Sequence, residues 1–400
     1  MSWSEIAFGD FAEVQPQVKL EKGTAYSFIE MSNVEPHTKS VDPRSTRIWK
    51  GSGGAKFENG DVIFARITPC LEHGKTAKID NLTESRGFGS TEFFVFRGRD
   101  GISDPDYIYY LARSPVIREP AIKSMIGTSG RQRAQKTVVE NTIIRVPEIQ
   151  EQRRIASILS AYDDLIENNR RRIQLLEQAA RLLYKEWFVH LRFPGHEHVA
   201  ITDGVPEGWE KKKIADVCET VGGGTPSTKV AEYWEGDITW IVPSDITKND
   251  CLALLDSERK ITERGLRESS AKMVPAETIL MTSRASVGFF ALMDFEVCTN
   301  QGFISIIPHE DELRMYLLFN LMSRVTEIRS NAKGTTYPEI SKGRFRGMDV
   351  IVPSKPLVSE FMRFASDIIQ QVRCLKRSTL QLKAARDILL PRLMNGEVAV

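Results

Sequence analysis

Residues 155–187 read IASILSAYDDLIENNRRRIQLLEQAARLLYKEW. Steps of four and three through them give Ile155, Leu159, Tyr162, Ile166, Asn169, Ile173, Leu176, Ala180, Leu183 and Trp187, nine of the ten apolar or aromatic. A period near 3.5 held over that length predicts a long helix whose apolar seam needs a partner helix. Asn169 is the exception, and a polar residue on such a seam commonly fixes its register. Adding 206 to each number lands on Phe361, Ala365, Ile368, Val372, Leu375, Thr379, Leu382, Arg386, Leu389 and Leu393, eight of them apolar. The partner of the first helix is therefore expected in the same chain. Pro147 and Pro353 stand before the two stretches, and Pro194-Gly195 and Asn395-Gly396 after them, as helix ends require.

The repeat extends outward from the helices. Trp3-x4-Phe8-Gly9-Asp10-Phe11-Ala12-Glu13 returns as Trp209-x4-Ile214-Ala215-Asp216-Val217-Cys218-Glu219, Tyr110-Leu111 as Tyr316-Leu317, and Val146-Pro147 as Val352-Pro353, all at the same offset of 206. Between these anchors the copies slip by insertions but keep their order. Ser27–Asn33 answers Thr239–Asp245, Val62–Arg66 answers Ile279–Arg284, Gly89–Phe93 answers Thr299–Phe303, and Gly127-Thr128-Ser129 answers Gly334-Thr335-Thr336.

Each copy is a globule followed by a helix. The globules, residues 1–147 and 204–353, show short runs rich in Val, Ile and Phe with Gly, Pro and Asn between them, the pattern of β-strands with a minority of helix. Tyr107–Arg113 and Arg314–Asn320 are expected to be helical. Residues 148–203 form a helical spacer and linker, and 354–400 a second helical spacer. The predicted fold is α+β, with two tandem α/β domains joined by two long helices in an antiparallel coiled coil, an internal repeat with pseudo-twofold symmetry. A helix of roughly 40 residues is about 60 Å long, so the layout predicts a rod with one globule at each end. A symmetric homodimer reads a palindrome because its half-sites are identical. One chain with two diverged heads suits two different half-sites at a fixed separation.

The composition, 41% hydrophobic and 27% charged, is that of a globular protein, and 400 residues is long for one core. Net charge is only +1, so any nucleic-acid contact must come from local basic patches. The five cysteines are scattered and odd in number, against a disulfide framework or zinc ribbon. His196 and His198 lack neighbouring ligands and read as linker, so no metal site is expected. There is no apolar run of membrane-spanning length and no secretory pattern at the start. A cytoplasmic protein is expected.

Several stretches carry a family resemblance: Gly223-Gly224-Thr225-Pro226, Tyr233-Trp234-x-Gly236-Asp237-Ile238-Thr239-Trp240, Ser244-Asp245-Ile246, Thr299-Asn300-Gln301-Gly302-Phe303, Gly127-Thr128-Ser129-Gly130-Arg131-Gln132-Arg133 and Pro147-x2-Gln150-x-Gln152-x2-Ile155. Over essentially the whole chain it resembles the specificity (S) subunits of type I restriction-modification systems. The first globule departs from the pattern in lacking Gly-Gly-Thr-Pro, which implies a different recognition subclass. The resemblance implies that the globules are target recognition domains for double-stranded DNA and the helices conserved spacers. It implies two methyltransferase (M) subunits and two restriction (R) subunits as partners. S-adenosylmethionine, ATP and Mg are then expected in those partners and no cofactor in this chain.

Phosphates are held by Lys, Arg and hydroxyls, and base edges are read by Arg, Lys, Asn and Gln. The candidates in the first globule are Arg66, Thr68, Lys75, Thr76, Ser129, Arg131, Gln132 and Arg133, with Arg131 and Arg133 foremost for bases. Those in the second are Thr282, Ser283, Arg284, Thr335, Thr336, Tyr337, Lys342 and Arg344. Arg170-Arg171-Arg172 shares its helix with Asp163, Asp164 and Glu167, a mixed-charge surface suited to partner docking. Asp104-Pro105-Asp106-Tyr107 comes near the D-P-P-Y motif of adenine methyltransferases but reads more simply as a helix start. Gly222-Gly223-Gly224 lacks the Gly-Lys-Ser/Thr of a phosphate loop, and no carboxylate set has nuclease spacing. No catalytic residue is expected. The rival reading, a coiled-coil adaptor that never touches DNA, accounts for the helices but not for two diverged globules with basic loops.

Overall fold

The computed structural model describes residues 3–400 apart from His37, Arg44, Ser129 and Thr335. The first globule contains strands β1 (Trp3–Ala7), β2 (Ala12–Val14), β3 (Ala25–Ile29), β4 (Thr46–Ile48), β5 (Ala55–Glu58), β6 (Val62–Ala65), β7 (Thr76–Lys78), β8 (Arg86–Gly89), β9 (Phe93–Gly98) and β10 (Ile143–Pro147). Besides a single turn at Phe8–Phe11, its helices are α1 (Pro105–Arg113), α2 (Pro115–Lys123) and α3 (Lys136–Glu140), and the first long helix is α4 (Ile149–Tyr184). The second copy repeats them as β11 (Glu210–Lys213), β12 (Cys218–Gly222), β13 (Trp234–Ile241), β14 (Lys260–Ile261), β15 (Met273–Val274), β16 (Ile279–Thr282), β17 (Phe290–Ala291), β18 (Val297–Thr299), β19 (Phe303–Pro308) and β20 (Asp349–Val352). Its helices are α5 (Leu313–Ser323), α6 (Val325–Ser330), α7 (Lys342–Arg346) and α8 (Lys355–Met394).

Each strand βn has its counterpart ten labels on, and the sheets match. The four-stranded sheet β2-β9-β6-β7 returns as β12-β19-β16-β17, and β4-β3-β8-β5 as β14-β13-β18-β15. In both copies the outermost strands close on each other antiparallel, Trp3 opposite Pro147 and Glu210 opposite Val352. Both mixed sheets carry one parallel pairing, β3 with β8 and β13 with β18. A mixed sheet built twice with one strand order is the structural form of the sequence repeat.

The segments expected to be helical, Tyr107–Arg113 and Arg314–Asn320, lie in α1 and α5. Asp104 starts α1 as its N-cap, accepting from the Tyr107 N–H at 3.1 Å, with Pro105 in the first turn. Asp104–Tyr107 is therefore a helix start. No helix of the described residues is long and apolar enough to cross a membrane.

The chain divides into two compact units, Met1–Glu167 with Leu380–Val400, and Asn168–Thr379. Each unit contains one globule and a stretch of both long helices. In the first, Ile155 and Leu159 of α4 join Leu390, Leu393 and Met394 of α8 in the core formed by α1 and β9. In the second, Ala180, Tyr184 and Trp187 join Phe361, Ala365 and Ile369 over α5 and β19. Rising numbers on one helix meet falling numbers on the other, so the helices run antiparallel in both units.

The buried face is broader than a strict heptad seam. Ile155, Leu159, Asn169, Ile173, Phe361, Val372 and Leu393 are buried, whereas Tyr162, Ile166, Leu176, Leu183, Ile368, Leu375, Leu382 and Leu389 are half-buried. Asp163, Glu177, Tyr184, Ile369, Arg373 and Leu390 take the buried places beside them. A 3.6-residue helix drifts about 20° per heptad from a 3.5-residue pattern, which moves the packed face on by one position. Asn169 is on the seam as expected, its amide donating to Ser378 Oγ at 3.3 Å.

Asp163 and Arg386 form a buried ion pair in the first unit, at 5% and 0% side-chain exposure. Tyr110 donates its hydroxyl to the same carboxylate at 2.6 Å. At the repeat-related positions of the second unit stand Ile369 and Ala180, both buried and apolar. Arg386 also pairs with the exposed Asp387 at 2.9 Å, so Asp163→Ala leaves it one counter-ion, whereas Arg386→Ala strands the buried Asp163 carboxylate and is expected to cost about 3–5 kcal/mol. Asp163→Ile combined with Arg386→Ala, which copies the second unit, is expected to recover most of that stability. Thermal unfolding followed by circular dichroism measures both.

Candidate nucleic-acid interface

In each globule a strand end and a returning loop are clipped together by backbone hydrogen bonds. After β6 the chain passes Arg66-Ile67-Thr68, and the loop from Ile126 to Ala134 docks on it. Thr68 N donates to Gln132 O at 3.0 Å, Ala134 N to Arg66 O at 2.8 Å, and Ile126 and Arg133 exchange both backbone bonds. After β16 the chain passes Ser283-Arg284-Ala285, and the loop from Lys333 to Ile340 docks on it. Ala285 N donates to Pro338 O at 2.9 Å, Ile340 N to Ser283 O at 3.0 Å, and Lys333 and Glu339 exchange both bonds. These matching bonds make Arg66 equivalent to Ser283, Ile67 to Arg284 and Arg133 to Glu339.

The tips differ in chemistry. The first bears Arg131, exposed and with no side-chain ion pair among the described residues, and the half-buried Gln132. The second bears Thr336 and Tyr337, the latter 69% exposed. Ser129 and Thr335 lie outside the described residues. The clips are charged in opposite senses. Arg133 grips Glu92 through three hydrogen bonds, Nε to Oε2 at 2.8 Å and to Oε1 at 3.1 Å, and Nη2 to Oε1 at 2.6 Å. That guanidinium holds the Glu92 carboxyl below its usual range. In the second globule the cation is on the strand side, Arg284 Nε lying 3.7 Å from Glu339.

Several expected contact residues prove to be structural. Thr76 is buried within β7, and Ser283 is 3% exposed. Thr282 is fully buried, its hydroxyl donating to the Ser286 carbonyl and accepting from the Phe289 N–H at 3.0 Å. Their residue types suggest loops, but the strand ends that carry these three turn the hydroxyls into the core. Arg66 lies over the Phe94 ring at 4.6 Å and reaches Ala134 O. Lys75 donates to Met31 O at 2.8 Å, and Thr68 Oγ1 accepts from Gln132 N at 3.0 Å. Lys342 and Arg344 are exposed on α7, whose N-cap is Ser341, and Arg344 reaches Asn331 O at 2.9 Å. Arg131, Arg284, Thr336, Tyr337, Lys342 and Arg344 thus face solvent.

Gly223-Gly224-Thr225-Pro226 and Thr299–Phe303, far apart in sequence, pack together. Gly224 donates its N–H to Thr299 O and accepts the Trp240 indole N–H at its carbonyl, both at 2.9 Å. A Cβ on Gly223 would stand 2.1 Å from the Asn300 carbonyl oxygen. Thr225 and Gln301 hydrogen-bond at the exposed edge.

Two tandem domains of one mixed α/β type, each presenting a clipped loop with its own side chains, define a protein of duplicated architecture. The chain belongs to the family described as the type I restriction modification DNA specificity domain, which matches residues 2–178 and again 206–383. It is 36% identical over 171 residues to the type I restriction enzyme MjaIX specificity subunit of Methanocaldococcus jannaschii, a match spanning 42% of this chain and 40% of that one. It is 24% identical over 412 residues to the type I restriction enzyme HindI specificity subunit of Haemophilus influenzae, covering 87% and 88%. The crystal structure of the type I restriction-modification system S subunit from M. genitalium has the same fold, with a TM-score of 0.58 at 16% identity over 98% of this chain and 96% of that one.

Two glycines test this geometry. Gly127 has a φ of +142°, and a Cβ there would stand 2.8 Å from Arg131 O. Gly127→Ala is expected to displace the first tip, leaving the cores intact. Gly223→Ala is expected to lower the stability of the second globule by about 1–3 kcal/mol through overpacking. Hydrogen exchange of residues 126–134 and thermal denaturation check the two.

Proposed function

We propose that this chain is the DNA-reading subunit of a type I restriction-modification complex and recognises a bipartite, asymmetric site on double-stranded DNA. One observation carries the reading: a single strand order and a single loop clip are built twice in one chain, with different side chains on the two tips. Phosphate contacts position a protein on DNA and base-edge contacts specify sequence. The exposed Arg131 and the half-buried Gln132 on one tip suit guanine and adenine edges. Thr336, Tyr337 and the nearby Arg284 offer a different set on the other. On this reading the two globules read different words, and identical heads would read a palindrome.

The long helices then dock two methyltransferase subunits and, through them, two restriction subunits. S-adenosylmethionine chemistry belongs to the first partner, and ATP- and Mg-dependent chemistry to the second. This chain supplies address and no reaction, and works in the cytoplasm. The family membership and the HindI relative, matched over most of both chains, support it.

Methylome sequencing of cells carrying the chain with its methyltransferase partner tests the reading. A two-part methyladenine motif is expected, and exchanging residues 1–147 for another subunit's first globule should change one half of it only. A motif indifferent to the exchange defeats the proposal. Arg131→Ala should relax the first half-site and weaken binding by about 1–3 kcal/mol, with thermal stability unchanged. Competition binding with point-substituted duplexes measures that weakening.

A further inference from the structure

A second basic surface of the first globule lies on segments that no motif connects. The chain following β2, the glycine-rich loop before β5, and strands β5 and β8 enclose a surface cleft of 860 Å³. Gln15, Gln17, Lys19, Lys56 and Arg86 line it. The Lys22 stem lies against the same glycine-rich loop, 3.4 Å from where a Gly51 Cβ would be.

The charge there is unbalanced. Arg86 is accounted for, paired with Glu58 at 3.3 Å and donating to Lys19 O. Lys19, Lys22 and Lys56 make no ion pair among the described residues, and Glu21 is the carboxylate on the rim. The chain as a whole balances 54 basic against 53 acidic residues, so three lysines without ion pairs on one cleft and its loop leave it a local basic excess, which an extended anion would neutralise.

Lys56 Nζ lies 5.1 Å over the ring of Trp49, which forms a buried aromatic cluster with Tyr26 and Phe88. Flexible ammonium groups suit phosphates as point charges, whereas base-edge pairing calls for the planar fork of arginine. The cleft also adjoins the clipped loop. Ala55 in its wall donates to Ser90 O, Ser90 Oγ accepts from Glu92 N, and Glu92 holds Arg133. In the second globule the chain after the corresponding strand, Gly223–Pro226, packs on Thr299 instead.

We propose that this cleft is a positioning track for the DNA sugar-phosphate backbone, with Lys19, Lys22 and Lys56 binding its phosphates. The inference rests on the DNA-reading function proposed above and adds a surface outside the loop tips.

The test uses the full chain assembled with its methyltransferase partner, binding duplex DNA that carries the cognate motif across a salt series. Changing the three lysines to glutamine is expected to weaken binding at least tenfold at low salt. The slope of log K against log salt should become shallower by about 0.9 for each phosphate that the variant no longer neutralises. The methylated motif should stay the same, and three Lys→Arg changes should restore the slope. An unchanged slope and affinity, or an altered motif, overturns the track. Wild-type complex that fails to bind DNA defeats the DNA-reading function itself; wild-type binding beside an unaffected glutamine variant defeats the track alone.

Discussion

The last helix completes the core of the first globule. Leu390, Leu393 and Met394 pack with Ile155 and Leu159 against residues from the first strands of the chain. The second globule likewise closes on Ala180, Tyr184 and Trp187 with Phe361 and Ala365. Neither core is finished by a contiguous piece of chain, because the apolar face of each long helix must be covered by the other helix and a globule together. The antiparallel pairing is thus a condition for both globules to fold.

The polar residues on this interface make the two units unequal. The first carries Asp163 and Arg386 where the second carries Ile369 and Ala180. The second has its own buried groups, Glu177 accepting the Leu252 N–H and Arg373 paired with Glu277. A buried charge is tolerated only beside its partner, so these pairs restrict which stretches of helix can pack together. Fold repetition with divergent detail recurs in the loops. The backbone bonds that clip them coincide, while the ion pair beside each clip exchanges its signs.

Much of the architecture is legible in the sequence because periodicity is written locally. The spacing of Ile155, Leu159 and Ile173 announces the first helix, the 206-residue offset announces the second, and Asn169 stands out as a polar register position. The heptad template places Leu176, Leu183, Leu382 and Leu389 at the centre of the seam. The drift of a 3.6-residue helix moves them to its edge and brings in Glu177, Tyr184 and Leu390. The candidate interface is less legible. Residue type nominates an arginine or threonine, but only its neighbours decide whether the group is available. Thr76 and Thr282 are turned inward by the strands that carry them.

The sequence by itself determined that there are two copies of one domain, that two long amphipathic helices pair within the chain, and that the two heads diverge. Those properties depend on intervals between residues, which the chain carries without folding. Only the tertiary structure separated Arg131, exposed on its tip, from Arg133, held by Glu92 across 41 residues of chain. It alone brought Lys19 and Lys56 to one cleft, laid Lys22 against its glycine-rich loop and set Gly223 against Asn300. Burial, ion pairing and close backbone approach are relations between distant segments, and they come into existence when the sheets and helices pack.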